Sequence, residues 1–302
     1  MAEFEIRPVG PFSLAAAQDF AGGFPPGIGG GAVSTTSIAM AFPLEGTDSS
    51  AAVDIHQRED GVVVGRTDAP AALVDAVRRQ AARSLSLNHD GTDWPAVGER
   101  DAVIGRLQKE HGYLRPVCFY SAYEAATSFV IGQRISMRQG ARVKQWLGEQ
   151  LGDRPTVEGH EFVAFPRPAR LLEATAVPGL NEKKVDWLHG IARAALDGRL
   201  DTGALAALPR DEALAALRAL PGVGAFTAEA VWLRGCGVTD ELPSSEEASL
   251  NAAREMYGRP DLDRAGLIAI AEAWRPYRMW ATVLLRLGWN REFGQRSYRQ
   301  RP

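Results

Sequence analysis

Along the first hundred residues the apolar positions come in short runs with β character. SIAMAFPL at 37–44 predicts a strand, and AVDIHQRED followed by GVVVGR at 52–66 predicts two more, joined at Asp60-Gly61, the dipeptide a type I′ hairpin prefers. A helical period follows, with Leu73, Val77 and Ala81 on one face. Strands with one covering helix imply an antiparallel sheet packed on one side. The Gly-rich GFPPGIGGGA at 23–32 follows a Pro-Pro pair rather than a strand and lacks a Gly-Lys-Ser/Thr, so it reads as a flexible turn and not a phosphate-binding loop. NHDGTDW at 88–94 lacks the spacing and final glutamate of a calcium loop.

From about residue 113 the pattern changes to helices broken by Gly and Pro. SAYEAATSFVIGQRIS at 121–136 opens with a capping box, Ser121 and Glu124, in which each side chain can satisfy an orphan backbone N–H. PRPARLLEATAVPGL (166–180) and NEKKVDWLHGIARAAL (181–196) predict two helices parted at Pro178-Gly179. DEALAALRAL (211–220) sets Leu214 and Leu217 on one face and leads through PGVG into AFTAEAVWLRGC (225–236), again helical. No fixed-period repeat is present. The fold class read from this pattern is α+β: an N-terminal antiparallel sheet domain over 1–112, then an all-α domain over 113–302.

Composition narrows the partners. The chain has 302 residues, 45% hydrophobic and 24% charged, as in an ordinary globular protein. Its two cysteines, Cys118 and Cys236, share no metal-ligand spacing and cannot build an iron–sulfur cluster, which suits a reducing compartment. No signal-peptide layout and no apolar run near the ~20 residues of a membrane span are present, so a cytoplasmic location is expected and no membrane partner. The net charge of -3 hides an asymmetry: residues 1–112 carry 9 Lys+Arg against 15 Asp+Glu, residues 113–302 carry 25 against 22. A polyanion would meet the C-terminal part.

Two stretches there suggest chemistry. PGVG joins two helices with Gly222 and Gly224, leaving the second helix's first N–H groups free to meet an anion, although an αα-hairpin also needs glycine for its own geometry. LPSSEEASL at 242–250 places two glutamates ahead of a helix. Ser244 and Glu247 have capping-box spacing, so these acids either start a helix or supply a carboxylate for chemistry.

LPGVGAFTAEAVWLRGCG resembles the helix-hairpin-helix of the base-excision DNA glycosylases, and three other stretches match that superfamily in the same order. YEAATSFVIGQRIS is similar to the helix and loop that carry its wedge, FPRPARL with VPGLNEKKVDWL to its linker and next helix, and WRPYRMWATVLL to its C-terminal helix. Within it, the bacterial 3-methyladenine DNA glycosylase II branch also fits the N-terminal sheet.

The resemblance implies a monofunctional DNA glycosylase that flips a damaged base out of duplex DNA and hydrolyses its N-glycosidic bond. The alternative is a glycosylase-like protein that binds damaged DNA without excision. Leu220, Gly222, Gly224 and Thr227 would hold a phosphate at the hairpin, where a bound monovalent cation is also compatible with the family; no other cofactor is implied. Arg134, between Gln133 and Ser136, would fill the gap left by the flipped nucleotide, where relatives use an apolar wedge. Phe226 stands where bifunctional relatives carry the Schiff-base lysine, so no lyase activity is expected. The family aspartate is replaced by Glu247 or Glu246, with Glu247 preferred for its spacing to Leu250. The base pocket would be lined by Phe226, Ala230, Trp280 and Arg286, although a Trp at helical spacing such as Trp280 is more often core, and an arginine there would repel a cationic methylpurine unless a carboxylate neutralised it. The partner is double-stranded DNA with damaged bases; no obligate protein partner and a monomer are expected.

Overall fold

A computed structural model describes residues 1–21 and 36–299; the Gly-rich stretch at 23–32 lies outside the described residues. Four strands, β1 (Ala2–Ile6), β2 (Ser37–Pro43), β3 (Ser50–Gln57) and β4 (Val63–Thr67), form an antiparallel sheet in the order β1-β4-β3-β2. Helix α1 (Leu14–Ala21) lies between β1 and β2, and α2 (Val74–Ser84), α3 (Trp94–Arg100) and α4 (Ala102–Glu110) follow β4. The alternation in β2 explains its burial: Ile38, Met40 and Phe42 enter the main core, while Ala41 and its neighbour Ala52 meet Val157 and Ala164 on the other face. That second face is covered by a small hairpin of β5 (Thr156–Val157) and β6 (His160–Glu161).

The β3–β4 turn differs from the type I′ expectation. Gly61 N–H closes on the Arg58 carbonyl at 3.0 Å, and of Asp60 and Gly61 only the glycine has positive φ, +83°. With Arg58 and Val62 paired around it, the loop is the three-residue kind, and Asp60 instead binds the Arg58 guanidinium and the Val62 N–H.

The helical part comprises α5 (Ala122–Gly132), α6 (Met137–Leu151), α7 (Pro168–Leu171), α8 (Glu182–Leu196), α9 (Thr202–Ala207), α10 (Arg210–Arg218), α11 (Ala225–Ala230), α12 (Glu247–Met256), α13 (Arg264–Ala271) and α14 (Arg278–Arg299). The segment at 166–180 is therefore a single helical turn, α7, rather than a full helix: its Pro168 starts the turn, and Pro178 prevents a continuous run into α8. At the start of α5 only half of the expected capping box forms. Ser121 Oγ accepts from the Glu124 N–H at 3.1 Å, but the Glu124 carboxyl turns inward and neither of its oxygens has a side-chain hydrogen-bond partner.

One apolar core runs from the sheet through α14. At its centre Trp280 is fully buried, stacked on Tyr277 at 4.8 Å and edge-on to Trp94 at 5.7 Å. The Arg115 guanidinium lies 5.3 Å over the Trp280 ring and donates to the carbonyls of Val9, Pro11, Ser86 and His89. Burial lowers its pKa to about 10, and the surrounding carbonyls satisfy its donors. Among the described residues no helix is long and apolar enough to cross a membrane.

Candidate active site and nucleic-acid interface

The hairpin between α10 and α11 is built around two glycines with different duties. Gly222 has φ +75°, and a Cβ there would sit 2.5 Å from the Trp187 ring, so the turn excludes any side chain at this point. Gly224 caps α11 from an extended conformation, with open space where its Cβ would be. Behind it, the first N–H groups of α11 have no acceptor within the helix. Leu220 does not offer its side chain to a ligand: it is 4% exposed in the core, and its N–H and carbonyl already bond Leu217 and Val223. A cation at the hairpin would share the carbonyls of Leu220 and Gly222 with donors already present.

Beside the hairpin, the loop from Gln133 to Ser136 joins α5 to α6. The Gln133 amide donates to the Gly222 carbonyl at 2.7 Å, so the two loops are tied to each other. From α8, Lys184 Nζ donates to the carbonyls of Ile131 and Gln133 at 2.9 and 2.5 Å, closing the end of α5. Ser136 caps α6 in a complete capping box with Gln139. Between these fixed ends Arg134 is exposed with φ +56°, an uncommon conformation for a residue with a Cβ. The two loops border a cleft of about 650 Å³ whose walls include Ser128, Phe129, Arg134, Phe226 and Thr227. Phe226 is half exposed there, edge-on to Phe129 at 6.3 Å.

The loop before α12 does not form the expected box. Glu246, not a serine, is the N-cap of α12, and both serine hydroxyls are committed elsewhere. Ser244 N–H and Oγ donate to Glu229 Oε1 at 2.8 and 2.7 Å; Ser245 N–H and Oγ donate to Oε2 at 2.9 and 2.6 Å. Arg210 adds an ion pair to Glu229 at 2.5 Å and another to Glu241 at 3.0 Å. Burial alone would raise the Glu229 pKa, but the hydrogen bonds from Ser245 and Ser244 outweigh it and hold the carboxyl near 2. With Ser244 bound to Glu229, Glu247 has no capping partner.

The two candidate carboxylates point to different surroundings. Glu246 keeps 18% of its side chain exposed, pairs with the Arg286 guanidinium and accepts from Ser249 Oγ. Glu247 is 65% exposed and lies 3.4 Å from Arg254 and 3.6 Å from Arg264. Of the other pocket candidates, Ala230 is half-buried on α11 and Arg286 is half-buried on α14, carrying Glu246 as its counter-ion. Trp280 cannot stack on an incoming base, because Trp94, Tyr277 and Arg115 already enclose it. Two residues before Trp280, Arg278 binds Asp240 at 2.8 Å and is largely buried.

Glu229, Arg210 and Lys184 were passed over in the sequence. The signal for Glu229 was a lone acid inside the otherwise apolar AFTAEAVWL, whose neighbours Ala228, Val231 and Trp232 are buried.

No protein-family model matches the chain. The chain is similar to DNA-3-methyladenine glycosylase 2 of Escherichia coli, 29% identical over 61% of this chain and 63% of that protein. It is also similar to the DNA-3-methyladenine glycosylase of Bacillus subtilis, 24% identical over 67% and 68%. The matched part is thus less than two thirds of the length of the Escherichia coli relative. Among solved structures, the 3-methyladenine DNA-glycosylase of Archaeoglobus fulgidus superposes with a TM-score of 0.77 at 19% identity, covering 97% of this chain and 99% of that one. The Clostridium acetobutylicum 8-oxoguanine glycosylase/lyase, solved with double-stranded DNA containing cytosine opposite 8-oxoG, gives 0.67 at 16% identity, covering 97% and 99%. The fold is that of the helix-hairpin-helix DNA glycosylases, with an N-terminal antiparallel sheet preceding the helical core.

Proposed function

We propose that this protein is a monofunctional DNA glycosylase of base excision repair, acting on alkylated or otherwise damaged bases in duplex DNA. The observation that carries the proposal is the double duty of α11. Its first turn presents Phe226 to the cleft between hairpin and Arg134, and its next turn, through Glu229, holds the residues just before Glu246. One rigid element thereby connects a place for a base with a half-buried carboxylate.

In this reading the hairpin backbone at Gly222 and Gly224 takes a phosphate, which positions the duplex without reading sequence. Arg134 enters the gap as the damaged nucleotide leaves the stack, where its planar cation can stack and hydrogen-bond at once. The flipped base rests against Phe226. As the C1′–N bond breaks, its electron pair leaves with the base and positive charge develops on the sugar; a fixed carboxylate lowers the energy of that charge. Water then adds at C1′ and gives up a proton. Glu246 suits this task better than Glu247, reversing the preference drawn from spacing alone, because Glu247 is splayed toward Arg254 and Arg264 at the surface. The Glu246–Arg286 pair also removes the repulsion that a lone arginine would offer a cationic methylpurine. With Phe226 in place of a lysine, no Schiff base forms by the route of bifunctional relatives, and strand cleavage is not expected.

The test is base release from duplexes carrying 7-methylguanine, 3-methyladenine, 1,N6-ethenoadenine or hypoxanthine, comparing wild type with Glu246→Gln and Glu247→Gln. Loss on the order of 100-fold in Glu246→Gln, against a change of about threefold in Glu247→Gln, is the expected result. The reverse ranking would move the role to Glu247. No release of any base, with tight binding to an abasic-site analogue, would make the protein a reader of damage instead of an enzyme.

A further inference from the structure

We infer that Glu229 is a positioning residue for the reaction, fixing the carboxylate loop to the helix that receives the base; this rests on the glycosylase reading above. The residue is 3% exposed and its carboxylate takes five donors: two backbone N–H groups, two hydroxyls and the Arg210 guanidinium. Two consecutive residues, Ser244 and Ser245, are held by both backbone and side chain, and the next residue is Glu246. A loop of that length would otherwise sample many backbone conformations at its N-cap. Here its path is copied from a helix.

The charge is required by the donor set. All five partners are donors and a carboxylate is acceptor-only, so every lone-pair direction is used. A glutamine would keep the shape but turn its NH₂ toward a backbone N–H that cannot reverse, and would leave Arg210 with only Glu241 as its ion-pair partner. Phe226 lies three residues earlier on the same helix, so the separation between the base-stacking surface and the carboxylate is set by α11 rather than by loop motion. Rates fall steeply when a reacting group is displaced by about 1 Å, on the order of 100-fold.

Two measurements test this on the full chain with Glu229→Gln and with the milder Ser244→Ala/Ser245→Ala, which removes the hydroxyl donors but keeps the charge. Amide hydrogen exchange reads loop order: protection of the 244 and 245 amides is expected in wild type and lost in Glu229→Gln. Single-turnover base release is expected to fall on the order of 100-fold in Glu229→Gln and about tenfold in the double variant, while affinity for an abasic-analogue duplex stays within about threefold. Equal losses of affinity, thermal stability and rate would assign Glu229 a general structural role and overturn the inference. So would a release rate within about threefold of wild type once the amide protection is gone. If wild type releases no base yet Glu229→Gln still loses amide protection, the anchoring stands and the glycosylase reading falls.

Discussion

The two loops that frame the proposed reaction are held by opposite means. The 133–136 loop is tied by Gln133 and Lys184 on backbone carbonyls, by the Ser136 cap and by Ile135 packed on the core, and leaves Arg134 exposed in a left-handed conformation. The 243–246 loop is gripped at Ser244 and Ser245 by a buried charge, and Arg264 holds the Pro243 and Glu246 carbonyls on either side. The difference matches two physical tasks. A side chain that must enter a base stack needs freedom to move with the DNA, whereas a carboxylate that stabilises a developing charge acts only when already in place.

The sharpest way to break this comparison is at Arg134. Arg134→Ala is expected to lower base release from a fully paired duplex by about 100-fold, because nothing then fills the vacated stack. Release from the same lesion in an unpaired bulge should change by only about threefold, since there the unstacking is already done. Equal losses on both substrates would show that Arg134 does something other than fill the gap. A smaller effect is expected at the tie between the loops. Gln133→Ala removes one hydrogen bond between partly buried groups and should weaken binding to an abasic-analogue duplex by about fivefold to tenfold, in line with ~1 kcal/mol. Unchanged affinity would mean that the hairpin and the 133–136 loop act independently.

Much of this arrangement was legible because it is local. The Gly222-x-Gly224 spacing announces a tight turn, which the structure shows to demand glycine at Gly222, and the shift from period-2 runs to 3.6-period runs marks the passage from sheet to helices. What the sequence concealed depends on residues far apart in the chain. Ser244 and Glu247 have the spacing of a capping box, yet Glu229, fifteen residues upstream, outbids the helix end for the serine. Trp280 has two readings at helical spacing, core or stacking surface, and its packing against Trp94 and Arg115 decides for the core. The β1 strand and α1 were missed for a different reason: AEFEI and LAAAQDFA are too short for their period to stand out.

Another buried acid tests how far the contrast extends into the scaffold. Glu124 lies on α5, the helix that ends at the Arg134 loop, and unlike Glu229 it has no side-chain donor at either oxygen. Burial raises its pKa to about 8 from an ordinary 4.5, with Lys144 drawing it partly back and the backbone near Tyr120 contributing less. The folded protein therefore keeps this proton after the unfolded chain has released it. Stability from this group is fully present below pH 4.5 and is lost as pH rises toward 8, by at most about 1.4 kcal/mol per pH unit. Glu124→Gln mimics the protonated form and removes the slope. Denaturant midpoints of wild type and variant at pH 5, 6, 7 and 8 should accordingly diverge, with the variant gaining relative stability at each step upward. Parallel curves would mean that Glu124 is ionised in the folded state at neutral pH, satisfied by Lys144, and that Glu124 and Glu229 differ in partners but not in charge.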